Sequence, residues 1–200
     1  EDDCLPHPDF FRFCEELLNY YRDDEQIMHI GGNNFLLNPK RGKTSYYFSR
    51  YCHIGGWATW RRAWQHYNVN LEVISHEVLR RTFHRRAEAK RWHVIIDKVK
   101  CNAPGFNTWD FQWNYAVWEQ SALAIVPAVN LVSNIGFDNG TREFDSLKVY
   151  SNAETSTIEV KIKHNHDKVY NESSDRFIFE KFYASGFWKR LISKLRKFFK

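Results

Sequence analysis

An α/β fold is predicted for this chain by three observations. Short apolar runs at 26–30, 45–49, 123–127 and 130–136 have strand length and are bounded by Gly, Pro and Asn. Longer stretches between them carry apolar residues at helical spacing, and alternating strands and helices give an α/β class. The composition, 43% hydrophobic and 17% aromatic, is enough to bury a core. Two hundred residues suit one domain, or one domain with an appendage.

Residues 9–21 predict the first helix. Phe10, Cys14, Leu17 and Tyr21 form its apolar stripe with Phe11 and Leu18 beside them, and Pro8 and Asp9 suit its first turn. A buried strand at 26–30 ends at Gly31-Gly32-Asn33-Asn34. A polar, basic loop at 38–44 precedes a second strand at 45–49. Gly55-Gly56 then opens a helix over 57–67, with Trp57, Trp60 and Trp64 at i, i+3 and i+7 on one face. Residues 72–91 predict another helix, with Val78, Leu79 and Phe83 inward and arginines outward, and 92–96 a strand or short buried turn. A helix follows over 109–119, with Thr108 as N-cap and Asp110 in the first turn, near the positive end of the dipole. Beyond two strands at 123–127 and 130–136, residues 157–163 alternate like an edge strand and 175–183 form a short amphipathic helix. A last helix joins Trp188, Leu191, Ile192, Leu195 and Phe198/Phe199 on an apolar face opposite a basic one.

The net charge of +5 is concentrated. Residues 188–200 hold six Lys and Arg and no acid, which leaves a net −1 for the other 187 residues. A nucleic-acid binder should carry its basic face on the folded domain, so no nucleic-acid partner is predicted. The basic stretch at 80–91 reads as a solvated helix face. Cys4, Cys14, Cys52 and Cys101 have no CxxC or CxxH spacing, which argues against structural zinc and for a reducing, cytoplasmic setting.

The chemistry is carried by motifs in a fixed order. Glu1-Asp2-Asp3 is an acidic triplet that stops at a Pro-bounded turn, and carboxylates suit Mg²⁺ or Mn²⁺. Tyr46-Tyr47-Phe48-Ser49 follows, then Gly56-Trp57-Ala58-Thr59-Trp60-Arg61-Arg62-Ala63-Trp64, then Trp109-Asp110-Phe111-Gln112-Trp113. Pro127, Asn130-Leu131-Val132 and Asn134-Ile135-Gly136-Phe137 complete the series. This order resembles the second, acceptor-side half of a bacterial GT-A-fold glycosyltransferase, a nucleotide-diphospho-sugar transferase with a Rossmann-like, mixed sheet. The layout is distantly similar to N-acetylglucosaminyltransferase I. The resemblance covers about residues 1–145, with 146–187 as an extension and 188–200 as a basic amphipathic tail.

The resemblance implies a metal-dependent, inverting transfer from a nucleotide-sugar donor to a hydroxyl of a surface glycan or a lipid-linked sugar. Asp3 and Asp2 would ligate Mn²⁺ or Mg²⁺, and Glu1 would lie near the donor. Asp110 would be the general base, and Trp57, Trp109 and Trp60 would contact the sugars. Arg142 stands where the family commonly has a His and would meet the donor's pyrophosphate. Gly55 stands where the family has a Trp. The family's nucleotide-binding half does not precede Glu1, so the chain is expected to be the later part of a longer polypeptide and inactive without the missing half. The tail suits the inner face of the membrane, where such acceptors are found. A different class, a non-catalytic carbohydrate-binding or membrane-recruited module, would use the same aromatic residues without turnover.

Overall fold

The computed structural model describes residues 2–36, 44–71, 74–106, 108–136 and 152–184. It is a mixed α/β structure with a mixed sheet. The predicted loop at 38–44, apart from Thr44, and the predicted helix over 188–200 lie outside the described residues.

A short strand β1 (Cys4–Pro6) leads into α1 (Pro8–Tyr20). Pro8 supplies a preset φ at the helix start, and the His7 ring nitrogen accepts the Asp9 N–H at 3.2 Å. The helix buries Phe10, Phe13, Cys14 and Leu17, which fall at i, i+3, i+4 and i+7. Phe11 is 63% exposed, so the stripe is narrower than predicted and is filled by Phe13 instead.

Four strands form the main sheet in the order β3-β5-β2-β4: β2 (Ile27–Gly31), β3 (Tyr46–Ser49), β4 (Trp57–Ala58) and β5 (Leu123–Pro127). β2 and β5 run parallel, while β3 and β4 pair antiparallel to them at either side. β2 is buried along its whole length, as a near-continuous apolar strand between covered faces should be. β1 pairs antiparallel with β6 (Val132–Asn134) in a separate small sheet.

The predicted helix over 57–67 does not form as such. Trp57 is in β4, and α2 covers only Arg61–Trp64. The predicted helix over 72–91 and the predicted strand at 92–96 become α3 (His76–Thr82) and α4 (Arg86–Lys100). Phe83 leaves helical φ/ψ and is fully buried, which breaks the first helix. Ala89, Trp92, Ile95, Ile96 and Val99 then face inward together, so the apolar run at 92–96 is one flank of a helix. The arginines stay on the outer side, where Arg81 and Arg91 donate to the carbonyls of Glu119 and Tyr183.

α5 (Asp110–Glu119) is buried from Gln112 to Trp118. It serves two cores at once. Trp113, Ala116 and Val117 pack with α1 and the sheet, and Tyr115 and Trp118 pack with α3, α4 and residues 177–184. An all-round buried helix of this kind is fixed by packing on every side.

Residues 157–163 are not a strand. Ile158 and Ile162 are buried but Val160 is 88% exposed, and the carbonyls of Ile158, Glu159 and Val160 accept from Arg12 of α1. The Ile158 and Lys163 N–H groups donate to the side chains of Asp9 and Ser45. The alternation in sequence marks a strap held largely by side chains. Downstream, the Asn171 N–H donates to the Phe48 carbonyl at 2.8 Å along the outer edge of β3. α6 (Glu172–Ile178) and a π-helical turn (Phe179–Tyr183) then close the second core. Among the described residues, no helix is long and apolar enough to cross a membrane.

His29 lies at the centre of β2 with no exposed surface. Its Nδ1 accepts the Trp113 indole N–H at 3.1 Å, and its Nε2 faces the His53 carbonyl at 3.1 Å, so the neutral Nε2–H tautomer satisfies both. Burial lowers the pKa of His29 to about 3 and that of His53 to about 4. Both folded values lie below the ordinary histidine value, so the unfolded chain binds more protons in acid. This contribution to stability is complete above about pH 6.5 and is lost as pH falls toward 4 and then 3. Urea midpoints measured from pH 7 to pH 4.5 should fall, with a limiting slope of roughly 2–3 kcal/mol per pH unit for two extra protons. The raised carboxyls of Glu88 and Asp175 act in the opposite direction and cancel in the difference between wild type and His53→Gln, so a difference that stays flat from pH 7 to pH 4.5 would contradict the buried neutral imidazole.

Candidate functional site

In an open α/β sheet, ligands bind outside the carboxyl ends of the parallel strands. Here that edge follows Gly31 of β2 and Pro127 of β5. The helices that precede these strands run back along them, so both helices begin at this same edge. α1 leads into β2, which sets His7 and Pro8 there, and α5 leads into β5, which sets Asp110 there. The His7 N–H donates to the Leu131 carbonyl at 2.8 Å and ties the start of α1 to the segment after β5.

Asparagines hold this edge together. Asn34 Nδ2 donates to the Pro127 carbonyl at 2.8 Å, and the Asn34 N–H donates to Asn130 Oδ1 at 3.0 Å. Asn33 Nδ2 donates to the Val132 carbonyl at 2.9 Å. That bond fixes the amide orientation and leaves Asn33 Oδ1 buried and without a donor among the described residues, in a side chain only 4% exposed. A buried acceptor of this sort is costly unless something donates to it.

Glycines allow the close approach. The Gly32 N–H donates to the Gly56 carbonyl at 2.8 Å, and Gly56 adopts φ +74°. A Cβ on Gly32 would stand 2.5 Å from Val132 Cγ2, 2.8 Å from Phe10 Cε2 and 2.9 Å from the Gly56 carbonyl. Gly32→Ala should therefore cost about 1–3 kcal/mol as an overpacked core site, read as a lower urea midpoint at unchanged slope. An unaltered midpoint would show that this edge relaxes freely. Gly55, where the resemblance implies a Trp, is occupied differently: a Cβ there would meet Asn33 Oδ1 at 2.3 Å. The Asn33 carboxamide fills the space into which a side chain at 55 would start.

Beyond the glycines, Trp57 enters an aromatic cluster. Its ring lies 5.3 Å from Trp109, 5.9 Å from Trp64 and 6.1 Å from Trp113, and stacks at 5.4 Å on His29. Trp64 is 40% exposed and lies flat on Tyr67 at 4.5 Å. Trp60 is placed elsewhere. It is buried in the core, donates from Nε1 to the Leu18 carbonyl of α1 at 3.0 Å, and carries the Arg62 guanidinium over its ring. The reason is the strand at Trp57: without a continuous helix, the three tryptophans do not share a face.

Asp110 opens α5 directly after Trp109. Thr108 does not cap the backbone as predicted; its hydroxyl donates to Asp110 Oδ1, and Trp109 takes the cap position. The phenol of Tyr67 is raised by burial and then by the nearby Asp110 carboxylate. Tyr67, stacked on Trp64, is thus within electrostatic reach of Asp110, a proximity that residue spacing did not reveal.

Asp3 lies at the far end of the small sheet. Its carboxylate accepts from Asn134 Nδ2 at 3.0 Å and from the Cys4 thiol at 3.5 Å, and its backbone carbonyl accepts from the Ile135 N–H at 2.9 Å. Gly136 permits this approach, since a Cβ there would lie 2.7 Å from Asp3 Oδ2. Asp2 is exposed. Among the described residues, no three His, Cys, Asp or Glu side chains form a metal-holding group. A carboxylate offers about four acceptor positions, and Asp3 uses two of them on neutral donors. What remains fits a Mg²⁺ or Mn²⁺ ion that takes one or two carboxylates from the protein and the rest of its oxygens from phosphate and water. Glu1, Phe137, Arg142 and the 188–200 tail lie outside the described residues.

The edge thus brings together Asn33, Trp57, Trp109 and Asp110 from three separate stretches of sequence, while Asp3 lies at the far end of the small sheet. No family model, no curated protein and no solved structure matches the chain.

Proposed function

We propose that the chain is the acceptor-side part of an inverting, metal-assisted glycosyltransferase, which moves a sugar from a nucleotide-diphosphate donor to a hydroxyl of a glycan or lipid-linked sugar. The observation that carries this reading is the start of α1 and of α5 at one sheet edge. It supports a reading in which Asp110, beside Trp109 and Trp57, faces the acceptor and the acids before β1 face a pyrophosphate.

In this reading Asp3, with Asp2, holds Mn²⁺ or Mg²⁺. The ion, when bound, neutralises the charge that develops on the departing diphosphate. Trp57 and Trp109 receive the apolar face of a sugar ring, with Trp64 beside them, while Trp60 serves the core. Asn33 Oδ1 accepts a sugar hydroxyl. Asp110 takes the proton of the attacking acceptor hydroxyl as general base. The Thr108 hydroxyl donates to Asp110 Oδ1, and in this reading Oδ2 takes the proton. The acceptor oxygen bonds to the anomeric carbon as the carbon–oxygen bond to the diphosphate breaks. The incoming and leaving oxygens are on opposite faces, so the configuration inverts. The resemblance implies donor contacts for Glu1 and Arg142, and the basic composition of 188–200 suits attraction to an anionic inner leaflet.

Turnover of a panel of nucleotide sugars, measured on the full natural polypeptide, tests the reading. Transfer or slow donor hydrolysis that requires Mn²⁺ and disappears in Asp3→Asn supports it. Glycan binding with no turnover of any donor would instead favour a carbohydrate-binding module, the reading that the aromatic cluster alone would support.

A further inference from the structure

A second cleft lies beyond this rim. It has a volume of about 120 Å³ and is bounded by His66, Asn68 and Leu71 after α2 and by Gln112, Tyr115 and Glu119 of α5. Gln112 is only 8% exposed, and its Oε1 is buried with no hydrogen-bond donor among the described residues. Gln112 does not belong to the Trp57–Trp109 group, and nothing in the proposed chemistry uses it.

The lining identifies a class of ligand. Gln112 Oε1 is an acceptor in need of a donor. Tyr115 accepts the Ser75 N–H at 2.8 Å on its hydroxyl oxygen and keeps its own proton to give. Glu119 adds a carboxylate acceptor at the mouth, and Leu71 an apolar wall. With Asn68 and His66, the lining offers both donors and acceptors beside an apolar wall, which suits a neutral molecule rich in hydroxyl groups. The Glu119 carboxylate disfavours a phosphate or another anion, and among the described residues no Lys or Arg lines the cleft. Few polar groups placed around an apolar surface are the usual makeup of a small-ligand site.

Position links this cleft to the rim. His66 belongs to the same turn as Trp64 and Tyr67, and the Trp64 ring lies 6.3 Å from that of Trp109, the residue before Asp110. We propose that the cleft is a saccharide subsite. It holds the sugar unit that adjoins the one offering its hydroxyl to Asp110, so the acceptor is an oligosaccharide rather than a single sugar or a simple alcohol. The inference rests on the proposed transferase reading for the role of the site, but its binding can be measured separately.

The test uses saturation-transfer NMR and titration on the full natural polypeptide. The probes are methyl glycosides of glucose, galactose and N-acetylglucosamine, and the disaccharides cellobiose, lactose and chitobiose. At least one disaccharide should bind about tenfold more tightly than its monosaccharide, and that gain should vanish in Gln112→Leu and shrink in Glu119→Gln. The surface substitution at 119 keeps the test usable if the change at 112 impairs folding. Equal affinity for both lengths, no disaccharide binding, or a gain untouched by both substitutions would overturn the subsite. Turnover read in parallel separates the two readings. Length-dependent binding through Gln112 without any transfer would keep the cleft as a saccharide site and refute the transferase; transfer that ignores acceptor length would do the reverse.

Discussion

Asp110→Asn should lower turnover by roughly 10²–10⁴-fold, the range that a positioned general base supplies, while donor affinity stays within a few-fold of wild type. The substitution keeps the shape of the side chain and removes its capacity to take a proton. The carboxamide oxygen could still accept from the Thr108 hydroxyl, so the start of α5 should persist. The helix-dipole contribution lost with the charge is at most about 1 kcal/mol. A fall in kcat with KM nearly unchanged would assign Asp110 to the chemical step. A rise in KM with kcat intact would make it a binding residue, and a loss confined to thermal stability would make it only a helix-start acid. Initial rates over a range of acceptor concentrations distinguish the three.

Arg50→Met should have the largest effect on folding, a loss of about 3–5 kcal/mol. Arg50 stands at the end of β3 among groups from four elements. Its Nε donates to Asp175 of α6 at 2.8 Å, its Nη2 lies 3.6 Å from Glu88 of α4, and its Nη1 donates to the Thr82 carbonyl at the end of α3 at 2.8 Å. Ser49 and the Arg50 N–H also donate to Asp175, and Tyr51 donates to Glu88. One buried guanidinium therefore serves two buried carboxylates. Burial already raises both carboxyl pKa values, an effect that Arg50 partly offsets. Without the guanidinium both carboxylates would lack their cation.

The sign of the pH dependence checks this cause. In Arg50→Met the folded carboxyl values rise further above their unfolded ones, so the deficit should be greatest near pH 7 and shrink as pH falls toward 5. The buried histidines affect wild type and variant alike and cancel in the difference. A loss that stays constant from pH 7 to pH 5 would point to lost packing against Phe83 and Tyr170, over whose rings the guanidinium lies. With total stabilities of about 5–15 kcal/mol typical of single domains, the variant is expected near its unfolding limit at neutral pH.

Periodicity was a good guide wherever burial faced one way. α1, β2, β3, β5 and α5 lie within one or two residues of the predicted spans because each presents a uniform face or is buried throughout. It misled at 92–96 because an apolar run of five residues suits a buried strand as well as a helix flank. Only the return of Val99 to the interior, beyond the run, distinguishes them. It misled at 57–64 because a glycine pair set Trp57 into a strand, so identical helical spacing no longer meant a shared face. At 157–163 alternation survived in the sequence while the carbonyl hydrogen bonds went to Arg12, which sequence spacing cannot announce.

The site divides in the same way. Asp3, Trp57, Trp109 and Asp110 could be nominated because they sit in compact motifs whose order is informative. Asn33, Tyr67 and Gln112 could not. Asn33 looked like part of an ordinary turn, and its meaning comes from the Val132 carbonyl that holds one side of its amide and the buried oxygen left over. Tyr67 matters through Asp110, which lies more than forty residues away in the chain. Gln112 occupies a helix position where an apolar residue would have packed equally well, and a polar residue in that place was the only available hint.

The most direct test of the central claim is a thermal-shift panel on the full natural polypeptide. Uridine, guanosine, adenosine, cytidine and thymidine diphosphates would be titrated with and without Mn²⁺, in wild type and in Asp3→Asn. The account predicts that one nucleotide raises the Tm only when Mn²⁺ is present. At a ligand concentration of about one hundred times Kd the gain is about 2.7 kcal/mol, and it should be absent in Asp3→Asn. No shift for any nucleotide, or a shift equal in both proteins, would contradict a metal-held diphosphate at Asp3 and with it the transferase.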